Sequence, residues 1–185
     1  LSGGGILNTD ATNLLTIANN ATSAASSSSS SYVNGPLKWN LSNTNGTYVF
    51  PVGKGGSYYP FTLATSAASS PEVTVEAFQT NPGGNVCAGG GLAAGSMSTT
   101  EYWSATLNTG TLNASVSLTR PSALSTLDVI SQCSQCTAAA PTAGEYFAIG
   151  GTISGTNSII NSNNVNALGF FRLATKSAAN CQLPT

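Results

Sequence analysis

Side chains that enzymes use for acid–base chemistry are scarce in this sequence. Its 185 residues include no histidine, five lysines and arginines, and six aspartates and glutamates. Without histidine, neither a histidine-based catalytic triad nor a histidine metal site can form. Glu72 and Glu76 share one face of a predicted strand, but four residues separate them by about 13 Å, more than a glycosidase pair allows. We therefore predict a protein that is not an enzyme and has no catalytic residue, cofactor or metal.

The four cysteines are a second set of reactive side chains: Cys87, Cys133, Cys136 and Cys181. The spacing of Cys133 and Cys136 also occurs in redox and zinc sites. A redox site needs a following helix, and a zinc site needs all four cysteines to converge. An even number of cysteines in a secreted type of chain favours structural disulfides instead. Three pairings are possible, and a bond between Cys133 and Cys136 would leave Cys87 for Cys181.

Aromatic side chains are the third group that can bind a ligand. Trp39, Tyr59 and Trp103 alternate with polar residues in step with aliphatic ones, which predicts that they lie in the core. Tyr58 and Tyr102 have the opposite parity and are predicted to be exposed. Exposed rings of this kind stack against sugars, so these two tyrosines are the predicted ligand-binding residues.

The elements that position these side chains are predicted to be strands. The clearest run is 111–120, in which Leu112, Ala114, Val116 and Leu118 alternate with polar residues. Similar alternation occurs at 37–41, 59–63, 72–79 and 103–107. About ten short strands separated by turn residues, without a capped helical pattern, predict an all-β protein. We expect an antiparallel β-sandwich of the jelly-roll or immunoglobulin-like type.

One turn is specified more closely than the others. The segment 108–110 reads Asn-Thr-Gly and lies between two alternating runs. Short loops with asparagine and glycine join adjacent antiparallel strands, so this segment predicts a β-hairpin.

The first 31 residues differ in composition from the rest. They end in an Ala/Ser tract with six consecutive serines, 26–31, which is typical of a flexible linker. We predict an N-terminal strand and Ser-rich linker over 1–31 and a β-sandwich domain over 32–185. The N-terminal strand is expected to pair with an upstream repeat or with a neighbouring subunit.

Charge and hydropathy exclude several classes of protein. Charged residues form 6% of the sequence, against about a quarter in typical domains. Five cations are too few for nucleic-acid binding, and no apolar run reaches the about 20 residues of a membrane-spanning helix. The chain begins at Leu1 without methionine, which we interpret as a mature or excised piece of a longer protein. The expected location is extracellular or at the cell surface.

Four segments carry a resemblance to a known family. They read YVNGPLKW over 32–39, YVFPVGKGGSYYPF over 48–61, EYFAIGG over 145–151 and LGFFRL over 168–173. Together they resemble a β-module of large secreted surface proteins of Bacteroidota, which are commonly exported by the type IX secretion system and described as adhesin-like. The resemblance covers about residues 30–175 and implies export and a structural or adhesive role, without catalytic residues to carry over. Tyr59 stands where that family often has arginine, so any role of the arginine does not carry over.

Three functions are consistent with the sequence. The first is an extracellular structural or adhesive module, with a filament-forming version, whose partners are other copies of itself through strand addition or cell-surface glycans. The second is a carbohydrate-binding module centred on Tyr58 and Tyr102. The third is an ice-binding surface formed by Thr/Ser/Asn faces such as 111–119.

Overall fold

The computed structural model describes residues 4–26, 28–134, 144–161 and 163–177. Every regular element in these residues is a β-strand, which confirms the all-β prediction. In chain order the strands are β1 (Ile6–Asn8), β2 (Leu15–Ile17), β3 (Tyr32–Asn34), β4 (Leu37–Asn40), β5 (Gly46–Phe50), β6 (Val52–Lys54), β7 (Ser57–Tyr58), β8 (Phe61–Phe78), β9 (Asn85–Val86), β10 (Tyr102–Thr119), β11 (Val129–Cys133), β12 (Glu145–Ala148), β13 (Thr152–Ser154), β14 (Ser158–Ile160) and β15 (Gly169–Ala174). No helix that could cross a membrane occurs in these ranges.

Two strands of 18 residues each, β8 and β10, form an antiparallel ribbon at the centre of the fold. The two halves of the ribbon have different neighbours. The first part of β8 pairs with β5 and its second part with β4. Likewise, β15 pairs with the start of β10 and β14 with its end. The ribbon therefore ties together most of an 11-stranded sheet, while β1, β3, β6 and β7 form a separate sheet of four.

The predicted hairpin at 108–110 is wrong, because these residues lie inside β10. Pairing with β8 continues on both sides of the segment, with shifts in register between Leu107 and Thr109 and between Thr109 and Thr111. Extra residues of this kind bend a strand and reverse the parity of its side chains. Trp103 is buried before the shift and Leu112 after it, so both halves of β10 turn an apolar row inward.

The sheets are mixed and not purely antiparallel. Parallel pairs join β1 to β3, β3 to β6, β2 to β4 and β9 to β12. Alternation in sequence cannot distinguish the two kinds of pairing, because side chains alternate with a period of two in both.

The side chains predicted to face inward form one buried core. Their rows on β4, β8 and β10 meet there, and aromatic rings pack edge to face between them. The Trp39 ring lies 5.3 Å from Tyr48 and 5.4 Å from Phe50, and Phe61 lies 5.4 Å from Phe171. Such geometry adds to the stabilisation that comes from burial alone. Trp39 and Trp103 are fully buried, as predicted.

Gly110 permits the bend of the ribbon. Its φ is +77°, and a Cβ placed there would lie 2.3 Å from the carbonyl oxygen of Ser69 on the paired strand. We expect Gly110→Ala to lower the free energy of unfolding by about 3 kcal/mol, since strain at positive φ adds to the steric clash. Urea unfolding monitored by tryptophan fluorescence measures the loss.

Gly155 provides the matched control. Its φ of +71° is similar, but a Cβ there meets no atom within 4 Å. Gly155→Ala should cost only the backbone term, about 1 kcal/mol. Equal losses in the two variants would contradict the proposed close approach at Gly110.

Candidate functional site

The segment 4–26, called the arm here, lies along both sheets. Its strand β1 pairs in parallel with β3, and its strand β2 pairs in parallel with β4. Ile6 is opposite Tyr32, and Leu15 is opposite Leu37. The arm therefore follows the path of 32–39 and adds one strand to the edge of each sheet.

A turn at Asp10 directs the arm from one sheet to the other. The Asp10 carboxylate accepts hydrogen bonds from the backbone N–H groups of Asn13 at 2.6 Å and Thr12 at 2.8 Å. This is the usual way in which aspartate closes a turn on its own backbone. The bonds from the Asn13 backbone, the Asn13 side chain and the Thr12 backbone hold the pKa of Asp10 below its ordinary value.

Hydrogen bonds from core rings anchor the end of the arm. Trp39 Nε1 donates to the carbonyl oxygen of Asn19 at 2.8 Å, and the Tyr48 hydroxyl donates to that of Asn20 at 3.2 Å. Both rings are buried, so the arm supplies acceptors for these two polar groups of the core. The N-terminal strand thus pairs within its own chain, and pairing with a neighbour remains a prediction for its outer side.

The outer side of the arm forms an open end of the molecule. Within the described residues, β1 and β2 are each the last strand of their sheet. Ile6 is 47% exposed and Leu7 38%. A recess of about 320 Å³ opens beside them, and its lining includes Leu7, Leu15, Ile17 and Leu37. Among the residues that the structure describes, this end combines unpaired backbone edges with accessible apolar side chains.

The two tyrosines predicted to bind a ligand lie in different ring clusters. The Tyr102 ring stacks on Phe78 with centroids 4.4 Å apart, lies 6.1 Å from Phe170 and is only 8% exposed. Tyr102 is therefore buried and not the exposed stacking platform that its parity predicted. Tyr58 is half-buried and lies 5.9 Å from Tyr32, and its binding role stays a prediction.

The long connection 79–101 explains the burial of Tyr102. Leu92 and Met97 from this connection pack with Tyr102 and Phe170 in a second apolar cluster. That cluster covers the side of the sheet which alternation assigned to solvent. Parity along a strand cannot reveal a cover that is contributed by a distant loop.

Arg172 holds this connection in place, and sequence reasoning did not single it out. It is 2% exposed, and its Nε donates to the Ser98 carbonyl oxygen at 3.1 Å. Its Nη atoms donate to the carbonyl oxygens of Gly83 and Ser98 and to Asn81 Oδ1. The guanidinium carbon also lies 5.4 Å from the centre of the Tyr146 ring. The one signal in the sequence is an arginine within the apolar run of β15.

Burial shifts the acid–base behaviour of this pair. Loss of hydration lowers the pKa of Arg172, and it raises the pKa of Tyr146 to about 12. The Tyr146 hydroxyl is buried and has no hydrogen-bond partner within the described residues. It favours the neutral form because an ionised phenolate would lack water.

A larger cavity lies at another part of the sheet. This space of about 830 Å³, called the asparagine cleft here, is lined by 87–91, Gln132, Ser134, 147–149 and 163–167. The last range contributes Asn163, Asn164 and Asn166. Its volume is typical of small-molecule sites, which span about 300–1,000 Å³.

Cys87 differs from the prediction that all four cysteines form disulfides. The Cys87 thiol is free, so the proposed bond between Cys87 and Cys181 is wrong. Cys133 is disulfide-bonded, and Cys136 and Cys181 lie outside the described residues. In the part of the chain that the structure describes, no group of three or more acidic, cysteine or histidine side chains could hold a metal ion.

No family model, curated protein or solved structure matches this chain. Proposals about its function therefore depend on its own geometry.

We expect Arg172→Met to lower the free energy of unfolding by about 3 kcal/mol, because several buried acceptors lose a charged donor. Lys38→Met removes a half-exposed ion pair with Glu72 and should cost less than about 1 kcal/mol. Urea unfolding compares the two variants. Similar small losses would show that Arg172 does not hold the connection 79–101.

Stability should fall at alkaline pH partly through Tyr146. The pKa of Tyr146 is about 12 in the folded protein, above its ordinary value of 10. The neutral, buried side chain therefore stabilises the fold fully below pH 10, and this stabilisation is lost as pH rises toward 12. Tyr146→Phe removes this titration and no hydrogen bond to a described residue, and the unfolding free energy of this variant should fall less over that range. Urea unfolding at several alkaline pH values measures the difference, and an unchanged pH dependence would contradict the assignment.

Proposed function

We propose that this chain is a non-catalytic, extracellular structural or adhesive module that assembles with copies of itself through strand addition. The observation that carries the proposal is the open end of the arm. There the outer edges of β1 and β2 lie beside exposed Ile6 and Leu7 and beside the apolar recess. Unpaired strand edges bind other strands by main-chain hydrogen bonds, and neighbouring apolar side chains add burial.

The arm lacks the charged and proline residues that often protect an edge from pairing, although its strands are short, with three residues each. Proteins guard exposed edges with lysine, proline or inward-pointing charges. The segment 4–26 contains no lysine, arginine or proline, and Asp10 is its only charged residue. Asp10 lies in the turn between β1 and β2, outside both strands. No charge or proline on either strand therefore opposes the approach of another strand.

A second copy of the chain suits this end because identical edges are self-complementary. Under two-fold symmetry, β1 of one copy pairs antiparallel with β1 of the other, and β2 does the same. The two apolar recesses then face each other, and Ile6 and Leu7 lose contact with water. Each strand has three residues, so the contact is small. Small interfaces of this kind are weak, and we expect a dissociation constant of about 100 µM.

Composition supports the extracellular part of the proposal, and the shape of the core supports a β-sandwich. Charged residues form only 6% of the chain, and hydroxyl and amide side chains take their place. The apolar rows from both halves of the β8–β10 ribbon pack in one core, as in two stacked sheets. We propose a β-sandwich as the architecture, and its jelly-roll or immunoglobulin-like type remains part of the proposal.

Sedimentation velocity over a range of concentrations tests the assembly. We expect the chain to shift from monomer to dimer at about 100 µM, which is the dissociation constant expected for an interface of this size. Leu7→Lys should keep the chain monomeric, because dimerisation would bury an unpaired charge. A chain that stays monomeric well above that concentration would overturn the proposal.

Ile153→Lys is the matched control for this experiment. Ile153 is 53% exposed and lies on β13, outside the arm, so the substitution adds the same charge at an apolar site elsewhere. The control should dimerise like the unmodified chain. If Ile153→Lys prevents dimerisation and Leu7→Lys does not, the contact lies at β13 and the proposed interface is wrong.

A further inference from the structure

The asparagine cleft has walls that are fixed by backbone hydrogen bonds. On one side, Ala148 N donates to the Gly90 carbonyl oxygen at 2.7 Å, and Cys87 N donates to that of Tyr146 at 2.8 Å. A Cβ on Gly90 would lie 2.9 Å from the Cys87 carbonyl oxygen and 3.2 Å from Phe147 Cβ. Glycine thus lets the loop 87–91 lie directly against β12.

The opposite wall is attached to the core in a similar way. Val165 and Ala114 exchange two backbone hydrogen bonds, at 2.8 and 3.0 Å. Val165 is buried, whereas Asn163, Asn164 and Asn166 are exposed. The segment 163–167 therefore has one inward anchor, and its amides lie at the surface, where that of Asn164 donates to Ser66 Oγ at 3.0 Å. A cleft between two anchored walls is formed before any ligand arrives, which lowers the entropic cost of binding.

The described lining residues are uncharged and combine amides with one aromatic ring. Phe147 is half-buried and is paired in register with Gln132 on β11. Gln132 Nε2 donates to the Ala167 carbonyl oxygen at 2.7 Å, which fixes that amide. The side chains of Asn163 and Asn166 make no hydrogen bond within the described residues. Donors and acceptors are therefore available beside an apolar surface.

This chemistry selects among ligand classes. A charged ligand would lose hydration without gaining an opposite charge, since the described lining contains no aspartate, glutamate, lysine or arginine. A purely apolar ligand would leave the asparagine amides unused. A sugar ring offers hydroxyl groups that pair with amides and a C–H face that packs on an aromatic ring. We propose that the asparagine cleft binds a neutral saccharide.

Affinity gel electrophoresis in gels that contain mannan, xylan, galactan or glucan tests this proposal. We expect at least one of these neutral polysaccharides to retard the chain. Asn166→Ala and Phe147→Leu should each raise the dissociation constant about tenfold, which is the effect of losing one good contact. Leucine keeps position 147 apolar, so Phe147→Leu remains informative even where a smaller residue would destabilise the fold.

Asn45→Ala is the matched control, because Asn45 is an exposed asparagine outside the cleft. It should bind like the unmodified chain. Absence of retardation by every neutral polysaccharide would overturn the proposal, and so would retention by acidic polysaccharides alone. Binding that survives both cleft substitutions but is lost in Tyr58→Ala would place the sugar at Tyr58 and also overturn it. These outcomes do not depend on whether the arm mediates dimerisation.

Discussion

The pairing of β8 with β10 over their whole length is the constraint on which the rest of the structure depends. Each strand has 18 residues, and each half of the pair supports a different set of neighbours. The register shifts between Leu107 and Thr111 bring the apolar rows of both halves into one core. Without the shifts, one half of β10 would turn its polar side inward, because side chains alternate with a period of two.

A second constraint follows from the scarcity of charge. The chain has only five cations, and one of them, Arg172, is almost completely buried. Its donors satisfy carbonyl groups of the connection 79–101, which would otherwise need water beneath the second apolar cluster. The same connection buries Tyr102 and includes the loop 87–91, which forms one wall of the asparagine cleft. The connection that Arg172 holds thus contributes both to the second apolar cluster and to one wall of the cleft.

The two candidate surfaces differ in how they expose polar groups. At the arm, the exposed groups are backbone edges, which recognise extended strands of almost any sequence and rely on apolar neighbours for strength. In the cleft they are side-chain amides held on anchored segments, which favour a ligand with a defined arrangement of hydroxyl groups. A structural module with a saccharide site of this kind would combine self-association and surface attachment in one domain.

Amino-acid sequence alone determined the class of fold and most of the core. Strict alternation around Trp39, Val75, Trp103 and Val116 identified buried positions, because a strand that buries one face repeats every second residue. The same reasoning failed at 108–110 and at Tyr102. Local turn propensity at 108–110 was overridden by pairing with β8, and the parity of Tyr102 could not show that a distant connection covers the ring.

Only the tertiary structure decided the parallel placement of the arm, the role of Arg172 and the position of the asparagine cleft. Each depends on contacts between residues that are far apart in the chain: Trp39 with Asn19, Arg172 with Ser98, and Val165 with Ala114. Periodicity reports which face of an element is apolar, but it carries no information on which distant segment will cover that face. The candidate binding surfaces lie where those long-range contacts leave amides or strand edges exposed.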